Sequence, residues 1–376
     1  VKRIQYSRLI RAVSALLFLP AAALFGIDNT EPLAQPLIPM VRAMGNAYTA
    51  VSNDENAVYY NPAGYGVVEN GILSVFSLGI KMNVDNSALD VYSAIIAGKN
   101  ITSGSNITSY LSDATISSGI AGPVYFGRVG NNFGFSFYDN VSILLTTRPG
   151  GLIPTADFLS YSDVGFVGGY GRDVPILNGL YAGINMKVVL RIKSQIEGTL
   201  LDVIDTIEGA SGVPLAKSVA FGSDAGLLYK PLPYFHFGVA AKDFFGTRFN
   251  TWENISGGNS SYADSMIKPR VSFGTAFYPL YFFKKAKVPE NLVLALDYSD
   301  LLDYSSFLSN FKFGVRFSTF GVIDLLGGID GGYLTGGVGF NLKFFRIGLA
   351  YYVDELGAYP GANPAQNLTL NFGLQW

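Results

Sequence analysis

The chain has 376 residues, 49% apolar and only 14% charged, with a formal charge of −2 and a mean hydropathy of +0.29. It has no cysteine and one histidine, His236, which excludes disulfides, thiolate chemistry, Cys-based metal sites, lipid anchoring through an N-terminal Cys and any histidine-rich metal centre. High Gly, Tyr and Phe content (44, 28 and 23 for Gly, Phe and Tyr) suits a barrel in lipid with aromatic girdles. No internal apolar run reaches the roughly 18 residues that a membrane helix needs, which leaves a transmembrane β-barrel as the main option.

Residues 1–26 read as a signal peptide. Lys2, Arg3, Arg8 and Arg11 precede an apolar run from Ala12 to Gly26, with small residues at two equally readable cleavage points, after Ala23 or after Gly26. Pro20 and the short length disfavour a helical anchor. Its removal takes four of the 26 basic residues and no acidic one, leaving 22 against 28, so nucleic acid is not an expected partner.

Residues 27–70 are the least strand-like part of the remainder. The stretch Arg42-Ala43-Met44-Gly45-Asn46-Ala47-Tyr48-Thr49-Ala50 continues through Asp54-Glu55-Asn56-Ala57 to Tyr60-Asn61-Pro62-Ala63-Gly64, dense in small and polar residues and closed by an Asn-Pro turn signal. A compact non-strand segment ahead of a run of strands reads as a plug before a barrel.

Residues 71–376 follow a period of two. Leu368, Leu370, Phe372, Leu374 and Trp376 alternate with Thr369, Asn371, Gly373 and Gln375, and the same alternation recurs through Ile347–Val353, Val338–Phe344, Phe311–Phe317 and Ala182–Leu190. The opposite faces hold Lys343, Asn341, Lys312, Arg316, Lys187 and Arg191. Apolar residues outward and polar residues inward is the pattern of a barrel in lipid. The spacing predicts strands at 72–84, 118–129, 132–145, 160–173, 177–192, 217–230, 233–246, 269–282, 289–300, 308–318, 321–330, 332–343, 345–355 and 366–376. That makes a fourteen-stranded, all-β, antiparallel barrel, and short and long connections alternate around it except at the turn near 331. With both termini periplasmic, the long loops fall outside. Two of them, at Leu89–Ile96 and Leu200–Ile207, have the three- and four-residue spacing of amphipathic caps.

The Gly45-Asn46-Ala47-Tyr48 core, the Asn53–Ala57 acidic step and the Asn61-Pro62-Ala63 turn resemble the FadL/TodX family of outer-membrane transporters for hydrophobic compounds, and are nearest to a spirochaete branch of it. The resemblance implies a barrel plugged by an N-terminal hatch in which Gly45, Asn46, Asn61, Pro62 and Ala63 act as the gate. It also implies an apolar ligand of the fatty-acid class taken from outside and released sideways through a gap in the wall beside an inward-kinked third strand. The last strand, with its terminal aromatic, resembles the assembly signal by which the barrel-assembly machinery recognises such proteins.

Two features of the residues themselves bear on that path. Pro123 lies inside the second strand, where it cannot donate to the ladder, and it is expected opposite about Tyr138 on the third. There Asp139 follows Phe133, Phe135 and Phe137 on the lipid face, with Asn140 beside it, at a cost of about 1–2 kcal/mol for a carboxylate in lipid. A lateral opening and a β-bulge without passage both fit. Basic residues also gather by height at the outer mouth: Arg191, Lys193, Lys217, Lys242 and Arg270, with Arg248 and Lys268 near them. They fit either a carboxylate head group entering a dry lumen or anionic outer-membrane lipid and solvent.

No catalytic constellation, metal site or cofactor motif is present in the sequence. A hydrophobic-compound transporter is the first reading. A barrel used as a protein-interaction platform, such as a secretion-associated shuttle or an adhesin, is the second.

Overall fold

The computed structural model describes residues 31–99, 114–149, 153–209, 213–255, 262–283, 288, 291–301, 307–357 and 359–376. The signal peptide read over residues 1–26 lies outside the described residues. No described helix is long and apolar enough to cross a membrane. The crossing elements are strands.

Fourteen strands form one closed ring. In chain order they are β1 (Ile72–Asn83), β2 (Thr115–Gly130), β3 (Phe133–Arg148), β4 (Thr155–Asp173), β5 (Leu180–Thr199), β6 (Ala216–Leu232) and β7 (Phe235–Lys242). The second half runs β8 (Arg270–Phe277), β9 (Leu292–Tyr298), β10 (Phe311–Thr319), β11 (Ile323–Asp330), β12 (Tyr333–Leu342), β13 (Phe345–Glu355) and β14 (Pro364–Gln375). Each pairs antiparallel with its sequence neighbour, and β1 pairs with β14 to close the wall, so no edge is left for lipid to solvate.

The period of two decides which side chains meet lipid. Ile184, Met186 and Val188 on β5, Val219 and Phe221 on β6, and Leu368 and Leu370 on β14 are exposed on the outside. Between them Asn185, Lys187, Arg191, Ser218, Thr369 and Asn367 are buried on the inside. The outer face is therefore apolar and the inner face polar, as the alternation predicts.

The inner face is buried because residues 31–70 fill the ring. This N-terminal segment forms no strand of the wall. It carries two short helices, Pro39–Ala43 and Ala57–Tyr60, and a 3-10 turn at Pro62–Gly66. It supplies most of the residues of the main buried apolar cluster, with Met44, Tyr48, Val51, Tyr59, Tyr60 and Tyr65 among them. Wall glycines let it approach closely: a Cβ at Gly134 would fall 2.2 Å from the Tyr65 ring, and one at Gly238 2.3 Å from the Thr49 carbonyl oxygen.

The two helical loop stretches form as helices, Asn86–Ile96 and Leu200–Glu208. The second opens on a capping box in which Thr199 and Asp202 satisfy each other's backbone N–H. Val91 of one and Leu200 and Val203 of the other join Ala114 and Ala156 in a small apolar cluster at the ends of β2, β4 and β5.

Candidate functional site

The N-terminal segment is tied to the wall at a few named points. Asn61, fully buried, donates through Nδ2 to the Thr49 carbonyl (2.9 Å) and to the Leu227 carbonyl of β6 (3.0 Å), while its Oδ1 accepts from the Ala63 N–H (3.1 Å). The Pro62 carbonyl sits where a Cβ at Gly183 would lie 2.3 Å away, so the Asn61-Pro62-Ala63 turn seats on a floor of wall glycines. Tyr48 and Thr49 N–H both donate to Asp297 Oδ2 of β9, at 2.9 and 2.8 Å.

Gly45 has φ +60°, and a Cβ there would lie 2.0 Å from the Phe313 carbonyl oxygen. Its N–H donates to Thr335 Oγ1 at 3.0 Å. Beside it Asn46, also at positive φ, turns its amide oxygen to Lys312 (3.0 Å) and Arg42 (3.3 Å) and its amide nitrogen to the Tyr60 hydroxyl. Arg42 pairs with Asp330 (3.2 Å) and Asp354 and lies 4.3 Å above the Tyr352 ring. Desolvation pushes the Tyr48, Tyr59 and Tyr60 hydroxyls of the segment well above the ordinary phenol range, so they act as neutral groups.

Residues 31–38 are held differently. Pro32 and Pro36 have no N–H, and Pro39 follows them. Their backbone is fixed by Glu31 N–H to the Met266 carbonyl (2.9 Å), Arg191 Nη2 to the Pro32 carbonyl (3.2 Å), Tyr138 Oη to the Ala34 carbonyl (2.7 Å) and Arg42 N–H to the Ile38 carbonyl (3.2 Å). This strap runs down the lumen between two cavities.

The outer cavity, about 400 Å³, has Leu33, Leu144, Leu159 and Leu356 on its apolar side and Lys81, Asn140, Tyr161 and Arg191 on its polar side. That volume falls in the range of small-molecule sites. Arg191 is fully buried and forked onto Asp163, Nε to Oδ1 and Nη2 to Oδ2 at 2.7 Å each. Asn140 Oδ1 has no partner among the described residues. The lower cavity is smaller, about 60 Å³, and lies between Pro36–Met40 of the strap, Tyr59, and Ser74, Phe76, Ser77 and Tyr125 of β1 and β2.

The wall beside the lower cavity is irregular. β1 and β2 pair at Ser74–Gly127 and again at Gly79–Ala121, with no ladder partners between. β2 and β3 pair at Ala121–Asn140 and at Tyr125–Tyr138, so three residues on β2 face Asp139 alone. Pro123 therefore stands opposite Asp139, one residue from the Tyr138 position read from the turn. The extra residues of the bulge take up the difference. Asp139 Oδ1 accepts the Val124 N–H at 3.1 Å, which gives the carboxylate on the lipid face a partner freed by the bulge. Tyr138 points inward and is fully buried, and Asn140 lines the outer cavity.

The five cations read as an outer-mouth cluster are not brought together. Arg191 and Lys193 share Glu31, at 3.2 and 3.0 Å. Lys217 pairs with Glu253 (3.2 Å) on the exposed rim. Lys242 lies 4.4 Å from the Tyr60 ring centroid, within the lumen. Arg270 meets Asp300 at 3.7 Å and opens on a separate polar cavity of about 360 Å³ with Arg42, Lys312, Asp330 and Glu355. Only Arg191 and Lys193 share a partner; Lys217, Lys242 and Arg270 each have an acidic or aromatic neighbour elsewhere, so height alone did not group the five. Sequence reasoning did not single out Glu31, Tyr161 or Asp163. Asp163 is the cross-strand partner of Arg191, a pairing set by the β4–β5 register.

No protein-family model matches the chain, and neither does any curated protein. Solved structures do. The CymD monoaromatic hydrocarbon channel is 11% identical, with 90% of this chain and 96% of that one covered at a TM-score of 0.51. The toluene transporter TodX of Pseudomonas putida is 13% identical over 91% of this chain and 98% of its own, at 0.45. A FadL homologue of Pseudomonas aeruginosa is 11% identical over the same shares, at 0.45. The likeness is one of fold: the fourteen-stranded outer-membrane barrel of FadL-type proteins.

Proposed function

We propose that the chain is a passive outer-membrane channel for small hydrophobic molecules, in which residues 27–70 are the hatch and residues 71–376 the barrel. The observation that carries this reading is the outer cavity of about 400 Å³, apolar on one side and bounded by a charge-paired arginine on the other. A neutral aromatic or the chain of a fatty acid fits its size and lining. Burial of an apolar ligand contributes about 25 cal/mol per Å² of surface removed from water, without a cofactor or energy source. The channels and transporters named for toluene, monoaromatic hydrocarbons and FadL share the fold and support the same ligand class for this chain.

In this reading the strap is the moving part. Residues 32–38 have few backbone hydrogen bonds and separate the outer cavity from the lower one. Displacing the strap joins the two cavities, and the interrupted β1–β2 and β2–β3 pairing around Pro123 and Asp139 offers a lateral exit into lipid. The turn at Asn61-Pro62-Ala63 and the Gly45-Asn46 seat hold the remainder of the hatch closed toward the periplasm.

The test is saturable binding of toluene and of laurate to purified protein, compared with Leu159→Trp. Leu159 lines the outer cavity, and the larger ring narrows it. Both ligands are expected to bind the native protein, with affinity at least about tenfold weaker in the variant, corresponding to about 1.4 kcal/mol. Saturable binding of neither ligand by the native protein would remove the transport reading and favour the interaction platform.

A further inference from the structure

The outer cavity is already next to a carboxylate of the chain's own. Glu31 places Oε2 3.2 Å from Arg191 Nη1 and Oε1 3.0 Å from Lys193 Nζ, with its side chain almost wholly buried. Pro32 and Leu33, the next two residues, line the cavity itself. Leu33 and Ala34 pack against the buried cluster of Val189, Ala220, Phe249 and Ile267. An acidic head followed by an apolar body is thus laid along a cationic pair and an apolar wall.

We propose, building on the transport reading above, that Glu31-Pro32-Leu33 is a built-in occupant of a carboxylate subsite at Arg191 and Lys193, displaced when an anionic amphiphile binds. The charge count supports exchange. Arg191 and Lys193 face Asp163 and Glu31, two cations against two anions, with aromatic rings around them. Tyr161 lies 4.7 Å from Arg191, and Tyr262 5.2 Å from Lys193, ring centroid to cationic centre. Withdrawing Glu31 alone leaves a buried site one positive charge in excess, a costly state in a low-dielectric surround. A ligand carboxylate restores neutrality with the same two donors, whereas a neutral ligand cannot. Asp163 stays in place, since both of its oxygens are forked onto Arg191 at 2.7 Å. Because Glu31 begins the strap, its release is also the step that frees residues 32–38. An anionic ligand would thereby open its own path.

The Trp252 ring lies 5.9 Å from Lys193 Nζ, so tryptophan fluorescence of the detergent-solubilised full chain reports on the subsite. The probes are laurate and its neutral counterpart 1-dodecanol. Glu31→Gln keeps the shape and removes the competing charge. It is expected to tighten laurate at least about tenfold and to leave dodecanol within about twofold, and Glu31→Gln combined with Lys193→Gln should lose the gain. Equal shifts for both probes, or no shift, would overturn the proposal while dodecanol binding keeps the transport reading. Binding of neither probe would overturn both. A second measurement needs no variant: in native protein laurate, and not dodecanol, should speed amide hydrogen exchange over residues 31–35. Unchanged exchange with laurate bound would equally overturn it.

Discussion

Asn61→Ala is expected to open the lumen without unfolding the wall. The substitution removes two donated hydrogen bonds and one accepted one from a fully buried carboxamide, and leaves the Thr49 and Leu227 carbonyls short of a donor. At about 1 kcal/mol net for each bond, with more for a group left unsatisfied, the closed seat weakens by about 2–4 kcal/mol. The barrel ladder does not depend on Asn61, since β4, β5 and β6 pair continuously beside it. The loss therefore falls on the segment. A shift of about 3 kcal/mol raises the population of the open segment roughly a hundredfold. In planar bilayers the variant should show frequent ion-conducting openings where the native protein shows few, with unchanged β circular dichroism. Conductance equal to the native protein's would show that Asn61 does not hold the plug.

Gly45→Ala should release the same segment from the other side of the ring, and nearly as strongly as Gly45→Val. Gly45 adopts φ +60°, which costs an L-residue about 1–2 kcal/mol. Steric contact costs more. The Cβ itself, common to both substitutions, would stand 2.0 Å from the Phe313 carbonyl oxygen and 2.9 Å from the Ile329 backbone. Neither strand can yield, because β10 and β11 are paired throughout. Residues 44–46 must lift off, taking the Asn46 contacts with Lys312 and Arg42 along. Arg42 is the only basic residue between positions 31 and 70, so trypsin has one target in the segment. Both variants should be cut after Arg42 at least about tenfold faster than native protein. A benign Ala beside a damaging Val would mean that side-chain bulk, not the backbone seat, decides.

The fold was legible because lipid makes the signal strong. Every strand is solvated by hydrocarbon on one face, so residues such as Ile184, Met186 and Val188 could not alternate in any other register. All fourteen strands form where the alternation places them. The ends differ for local reasons. β4 and β5 run on to Thr155 and Thr199, beyond the apolar band, where hydrogen bonding continues without an apolar pattern to mark it. β7 and β8 stop early, at Lys242 and Phe277, where the chain leaves the sheet.

The site was less legible, since its geometry depends on register and on a segment with no periodicity. The turn between β4 and β5 spans 174–179 rather than 174–176, and that difference decides that Asp163 faces Arg191. Nothing in the spacing of Glu31 points to residues 160 positions away, yet its carboxylate is what neutralises Arg191 and Lys193. Pro123 and Asp139 were readable as exceptions within a pattern. A proline in a ladder and a carboxylate on a lipid face both stand out from regular neighbours.

The strap's movement can be tested by fixing it. The native chain has no cysteine, so a single engineered pair is free of competing thiols. Leu37 of the strap and Gly79 of β1 are well placed: a Cβ at Gly79 would lie 3.5 Å from Leu37 Cβ, within the span of a disulfide. In Leu37→Cys/Gly79→Cys protein, oxidation should abolish uptake of labelled laurate by cells carrying the protein, and reduction should restore it to the level of either single variant. Uptake that is the same in the oxidised and reduced states would contradict a path that opens by displacing the strap.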